Sequence, residues 1–250
     1  PCAAGTLTQV YQAVPGWDTI TNAADGTLGS DVESRADFEY RRKNSVAKNG
    51  TGTPQAIYAE VFALVDVLDV YVKDNPTGSA VNTGSTNYPI AAHSVYVAVV
   101  GGADADVAAA IWRKKDLGCD TNGNTSATVV DASGYSYPQP SYVIKFQRPA
   151  SLAVKFAVRI VNDPSLPSNI VTLVKNAIIA RFNGADGTTR ERIGATILAS
   201  RYYGTVVSVA SNVSLLDVLI GTSSPTLTQI NVGIDQRPTI SAADISVSLV

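Results

Sequence analysis

His93 is the only imidazole in the chain, Cys2 and Cys119 are the only thiols, and glutamate is confined to Glu33, Glu39, Glu60 and Glu191. Nucleophilic catalysis needs a base within hydrogen-bond reach of its nucleophile. His93 adjoins Ser94, but neighbours on a strand point to opposite faces, so this pair cannot work on one substrate. There is no G-x-S-x-G elbow. The two cysteines form no C-x-x-C pair, and Cys119 sits in a Gly/Asn-rich stretch with no activating partner in sequence. Phosphate cradles of the G-x-x-x-x-G-K-[ST] or G-x-G-x-x-G type are missing. Gly101-Gly102-Ala103-Asp104 opens a helix, yet Asp104 and Asp106 already occupy its positive end. Asp120, Asn122, Asn124 and Asp131 fall at positions 1, 3, 5 and 12 of a calcium-loop spacing. Thr125 replaces its glycine and Asp131 its bidentate glutamate, so a polar turn is the better reading. Asp66 and Asp69 lie near a helix-to-strand junction with no visible acid–base partner. A glycosidase pair of distant acids is not located by sequence. No catalytic, cofactor-binding or metal-ligating residue is assigned, and no cofactor is expected.

Composition narrows the class. The 250 residues are 45% hydrophobic and 16% charged, with 19 Lys+Arg against 21 Asp+Glu for a net charge of −2. An apolar share of that size excludes a disordered chain. The missing basic excess argues against nucleic acid as a partner. Two cysteines cannot staple a chain of this length, and no apolar run reaches about 18 residues, so membrane insertion is not expected. The chain opens on Pro1 and carries no Met, as a processed chain or fragment would, and Pro1–Val10 has no signal-peptide pattern.

Local patterns then place the elements. Residues 1–29 are rich in Gly, Thr, Asn and Asp and read as an extended N-terminal arm. Ser30-Asp31-Val32-Glu33 fits a capping box for a charged helix running to about Lys48 and stopping at Asn49-Gly50. Thr53-Pro54 starts a second helix. Val67–Lys73 and His93–Val100 read as strands, joined by a polar loop. Asp104 caps a third helix over Ala105 to about Asp116. Residues 30–140 thus form a helix-helix-strand-strand-helix subdomain, closing with a hairpin or long loop. From Ser141, strands at Tyr142–Gln147 and Leu152–Val161, helices opening at Ser168 and Thr189, and three strands near 205–210, 229–234 and 245–250, with 215–220 as a candidate fourth, suggest a second subdomain. Residues 141–250 read as a ferredoxin-like α/β sandwich of antiparallel strands with two helices, giving an α+β chain.

The order of these features resembles a known family. Arg41-Arg42 opens the set, and Thr53-Pro54-Gln55-Ala56-Ile57, Asp74-Asn75-Pro76-Thr77, Ala92-His93-Ser94-Val95-Tyr96-Val97 with Val100-Gly101-Gly102, and Lys115-Asp116-Leu117-Gly118 carry its strongest part, residues 53–118. Phe146-Gln147-Arg148-Pro149 and the segment from Gly194 to Val209 continue it. This set is similar to the baseplate protein J-like family of contractile-tailed bacteriophages, over roughly residues 25–250. The resemblance implies a structural baseplate protein in the virion tail, assembled in the host cytoplasm. It implies other tail proteins as partners, a homo-oligomer, and no small-molecule substrate. It carries over no site residue.

The residues themselves offer interface candidates. Arg41 and Arg42 lie on the charged first helix, either as a solvated face or as a contact with another subunit. Tyr135, Tyr137 and Tyr142, near Pro138 and Pro140, are either interface anchors or a cover for the underlying sheet. The alternative functions are a tail-associated polysaccharide-degrading enzyme and a receptor-binding module.

Overall fold

A computed structural model describes residues 3–12, 15–17, 19–25 and 33–250. The chain divides into two units, Pro1–Glu33 and Ser34–Val250. Within the first, the backbone folds back on itself. Gly5 N–H donates to the Asn22 carbonyl at 2.9 Å, the Asn22 side chain bonds Leu7 and Ala3, and Asp25 accepts from Ala4 N–H at 2.7 Å. The stretch expected as an extended arm is thus a closed loop where it is described, because Asn22 and Asp25 satisfy the backbone of residues 3–7. The expected capping box at Ser30–Glu33 falls largely outside the described residues. The helix begins instead at Arg35, with the Ser34 hydroxyl accepting from Asp37 N–H.

The second unit is mixed α+β. Its elements are α1 (Arg35–Ser45), α2 (Pro54–Phe62), β1 (Val67–Asn75), β2 (Val81–Thr83), β3 (Tyr88–Ile90), β4 (Ser94–Gly101) and α3 (Asp104–Lys114). There follow β5 (Asp120–Asn122), β6 (Thr125–Val130), β7 (Ser141–Phe146), β8 (Ala150–Ala153), β9 (Lys155–Ile160) and α4 (Ile170–Asn183). The last are β10 (Thr196–Leu198), α5 (Tyr203–Val207), β11 (Leu215–Gly221), β12 (Gln229–Asn231), β13 (Gln236–Thr239) and β14 (Ile245–Leu249). Helix α1 runs on through a 3-10 turn to Asn49, so Asn49-Gly50 does end it. Thr53 caps α2 with Pro54 in the first turn. Asp104 is the first residue of α3 rather than its cap, a place Ala103 takes without a side-chain bond. The polar loop after β1 holds the small hairpin β2–β3.

Strand β4 organises the first core. It pairs antiparallel with β1 and parallel with β5, and Ser94–Val99 are all buried. Alternation splits its faces. Val95, Val97 and Val99 pack with Ile57 and Val61 of α2 and Val107 and Ile111 of α3. Tyr96 and Ala98 turn the other way and meet Ile90, Ile193 and Ile234. The same alternation on β1 sends Val70 to the helices and Asp69 and Tyr71 to the opposite side. That face receives the segment 190–195.

A second core lies behind it. Ile170, Val174, Ile178 and Phe182 form one stripe of α4 and pack with Phe156, Val158 and Ile160 of β9 and Val218 and Ile220 of β11. Burying each such side chain contributes roughly 1.5–3 kcal/mol.

Three expectations change here. First, β7 pairs with β6 and puts Ile144 and Phe146 into the first core. The boundary expected at Ser141 therefore falls inside a hairpin, not between subdomains. Second, the sheet β11-β9-β14 is not all antiparallel, since β14 runs parallel to β9, as β13 does to β8. That departs from a ferredoxin-like order. Third, the helix expected from Thr189 does not form. Gly194 sits at φ +69 against the Tyr71 ring, and Ile193 N–H is taken by Asp69, so the backbone there serves tertiary bonds instead. The strand expected near 205–210 is helical in its first turn, as α5.

Candidate interaction site

The site is built where α4 ends. Gly184 closes the helix in the left-handed conformation at φ +75, where a Cβ would meet the Thr188 carbonyl at 2.7 Å. Asp186 then accepts from Thr188 N–H at 3.1 Å, an Asx turn that folds the loop back. Glu191 N–H donates to the Phe182 carbonyl at 3.0 Å and registers the return strand of this loop. Arg190, Glu191 and Arg192 are thereby presented in irregular backbone beside β1.

Arg192 points inward and is 9% exposed. Its Nη2 lies 2.7 Å from Asp37 Oδ1 on α1 and its Nη1 lies 3.1 Å from Asp69 Oδ1 on β1. The Tyr40 ring stacks over the guanidinium at 4.0 Å. Asp69 Oδ2 accepts from Ile193 N–H at 2.8 Å. A buried cation thus ties α1, β1 and the post-α4 loop. Burial pushes the Asp69 carboxyl up, while Ile193 N–H and Arg192 hold it down.

Glu191 is buried on the other side of the loop. Its Oε1 accepts from the Tyr202 hydroxyl at 3.0 Å, and Arg201 Nη1 lies 3.6 Å from Oε2. Burial raises its pKa, opposed by Tyr202 and Arg201. Two adjoining cavities open around this loop. One of about 600 Å³ is lined by Tyr40, Arg181, Arg192 and Arg201, and one of about 180 Å³ by Asp69, Phe182, Arg237 and Pro238. Arg190 and Glu191 line both.

Of the residues named from sequence, Asp69 and Glu191 lie in this site, and the others fall elsewhere. His93 and Cys119, remote in sequence, line one groove of about 330 Å³ together with Asp74 and Asp116. Burial pushes the Cys119 thiol up, with Lys115 opposing, and its Sγ donates to the Asp120 carbonyl at 3.3 Å. That is the opposite of an activated thiolate. Asp120–Asn124 is a strand and turn. Asn122 Oδ1 accepts from Ala91 N–H, and Asn124 Oδ1 accepts from Arg148 N–H at 2.8 Å, so its oxygens serve the protein. Among the described residues no cluster of three or more His, Cys, Asp or Glu is placed to hold a metal ion. Arg148 occupies the Gly101-Gly102 turn, bonding the Val99, Gly101 and Gly102 carbonyls and Asp104. Asp66 stands at φ +62, its carbonyl accepting from Gly102 N–H.

Of the interface candidates, Arg42 pairs with Glu39 at 2.9 Å within α1, and Arg41 lies over Phe38. Tyr137 is 94% exposed and Tyr135 54%. Tyr142 packs 5.8 Å from Trp112. The outward face of the β6–β7 ribbon adds exposed Val130 and Val143. The sequence reading missed Arg190 and Arg192 and gave Glu191 no role. Their signal was an Arg-Glu-Arg run directly before Ile193-Gly194, inside a Gly/Thr-rich loop that periodicity took for a helix.

No protein-family model matches this chain, and no curated protein matches it. Among the described residues no helix is long and apolar enough to cross a membrane.

Proposed function

We propose that the chain is a structural baseplate component of a contractile phage tail or tail-like particle, acting by assembly with other tail proteins and with copies of itself. The sequence resemblance motivates this reading. One observation carries it against the enzymatic alternative. Asp69 and Glu191 line the same 180 Å³ cavity, where a pair of hydrolytic acids would be sought. Both are engaged by internal donors: Asp69 by Arg192, Val70 N–H and Ile193 N–H, Glu191 by Tyr202 and Arg201. A carboxylate held this way works as a tie between elements rather than as a proton shuttle. The exposed Tyr135, Tyr137, Val130 and Val143 supply apolar surface of the kind that assembly interfaces cover.

The test is size-exclusion chromatography with light scattering on the chain, alone and mixed with a tail-protein fraction. Entry into a larger defined complex is expected. A chain that binds no tail protein overturns the reading. Release of reducing sugar from envelope polysaccharide, abolished by Glu191→Gln, would establish the enzyme instead.

A further inference from the structure

We infer that the cleft around Arg190 and Arg237 is a docking site for an acidic segment of a partner protein. The inference rests on the assembly reading and names the chemistry of one contact. Five of the eleven arginines, and none of the eight lysines, line the two adjoining cavities: Arg181, Arg190, Arg192, Arg201 and Arg237. Arginine alone offers a planar fork that grips a carboxylate through two parallel hydrogen bonds.

Three of the five are committed. Arg192 holds Asp37 and Asp69, Arg201 faces Glu191, and Arg181 stands 3.9 Å from Asp186. Arg190 and Arg237 are not. Arg190 reaches only the Leu68 carbonyl, at 3.5 Å through Nη1. Arg237 donates through Nε to Ser151 Oγ at 3.1 Å. Neither has a carboxylate within 4.0 Å among the described residues. Their remaining N–H groups border a small cavity whose two acids, Asp69 and Glu191, are already spoken for. Asp69 and Glu191 are therefore engaged already, and Arg190 and Arg237 turn the three committed arginines and their four acids from a deficit of one positive charge to an excess of one. The surplus sits on two forks at the rim of a pocket sized for a side chain, with Pro238 and Phe182 as its apolar wall. A glutamate or aspartate side chain from a partner, its stem against that wall, completes both.

Fluorescence anisotropy with a labelled hexaglutamate peptide tests this, with hexaglutamine as the neutral probe. Hexaglutamate binds the whole chain and releases as salt rises, and hexaglutamine does not bind. Arg190→Ala/Arg237→Ala weakens binding by about tenfold or more. Arg113→Ala, at an exposed site elsewhere, leaves it unchanged. The double lysine variant keeps charge and stem, guards against a folding loss, and recovers only part of the affinity because the fork is gone. Equal binding by wild type and the double alanine variant, or no binding of hexaglutamate, overturns the inference. Tighter binding of duplex DNA than of hexaglutamate through the same two arginines overturns it in favour of phosphate. If the double alanine variant still joins a tail-protein complex undiminished, the cleft is not the contact and the assembly reading stands. If wild type joins none, the assembly reading falls by itself.

Discussion

The guanidinium of Arg192 meets the carboxylate of Asp69 at 3.1 Å across 123 residues of sequence, and the next backbone N–H, from Ile193, closes on the second oxygen. Removing the cation strands two acids, Asp69 and Asp37, away from water. Arg192→Met is expected to lower unfolding free energy by about 3–5 kcal/mol, read from urea denaturation. Adding Asp37→Asn and Asp69→Asn to that variant restores a large part of the loss, since no uncompensated charge then remains. A triple variant as unstable as the single one would refute the tie.

That junction also shows what the sequence could and could not say. Thr53-Pro54 starts a helix and Asn49-Gly50 ends one through bonds within a few residues, so both are legible. Asp69 was singled out, but its partner stands on a loop whose shape is dictated by Gly184, Gly194 and the Ile193 bond to Asp69 itself. Thr189–Leu198 carries apolar residues at helical spacing, and tertiary hydrogen bonds override it. The boundary expected at Ser141 failed for a similar reason. The register Val130↔Ser141 shows one continuous hairpin there, a pairing across the loop that local patterns do not display.

Arg148 holds the turn between β4 and α3 by contacting three carbonyls and Asp104 at once. Lysine keeps the charge and cannot span that set. Arg148→Lys is expected to cost about 1–3 kcal/mol in chemical denaturation. Asp104→Asn costs less, because the carbonyl bonds survive. Equal losses in the two variants would contradict this division.

Gly123 stands at φ +150, and a Cβ there would lie 2.0 Å from the Phe146 carbonyl. The clash is with backbone, which cannot rotate away. Gly123→Ala is expected to cost about 2–3 kcal/mol. Gly134, at φ +78 with nothing within 4 Å, is the comparison, and Gly134→Ala costs about 1 kcal/mol from backbone conformation alone. Thermal midpoints measured side by side rank the two.

Glu191 titrates above the ordinary glutamate range because it is buried. A carboxyl whose folded pKa is raised favours the native state fully below its unfolded pKa and loses that contribution as pH rises through the folded value. Glu191→Gln keeps an acceptor for Tyr202 and removes this titration. The variant should therefore gain on wild type as pH climbs from about 4 through the window just above it. The melting midpoint of the variant rises relative to wild type across that window. A constant offset at all pH values would remove Glu191 from the account.

The three candidate tyrosines separate by what lies beneath them. Tyr142 pairs across the ribbon with Val129 and packs on Trp112, so its ring belongs partly to the first core. Tyr142→Ala is expected to cost about 1–2 kcal/mol in the isolated chain. Tyr137, at 94% exposure, has its ring in water, and Tyr137→Ala should change stability by less than about 0.5 kcal/mol. If the loop 131–140 meets a tail partner, the same substitution weakens co-assembly by about tenfold or more, because a buried aromatic anchor is lost there. Measuring unfolding and co-assembly on both variants divides the roles. Loss of assembly in Tyr137→Ala with unchanged melting places a contact on this loop, and unchanged assembly moves the contact away from it.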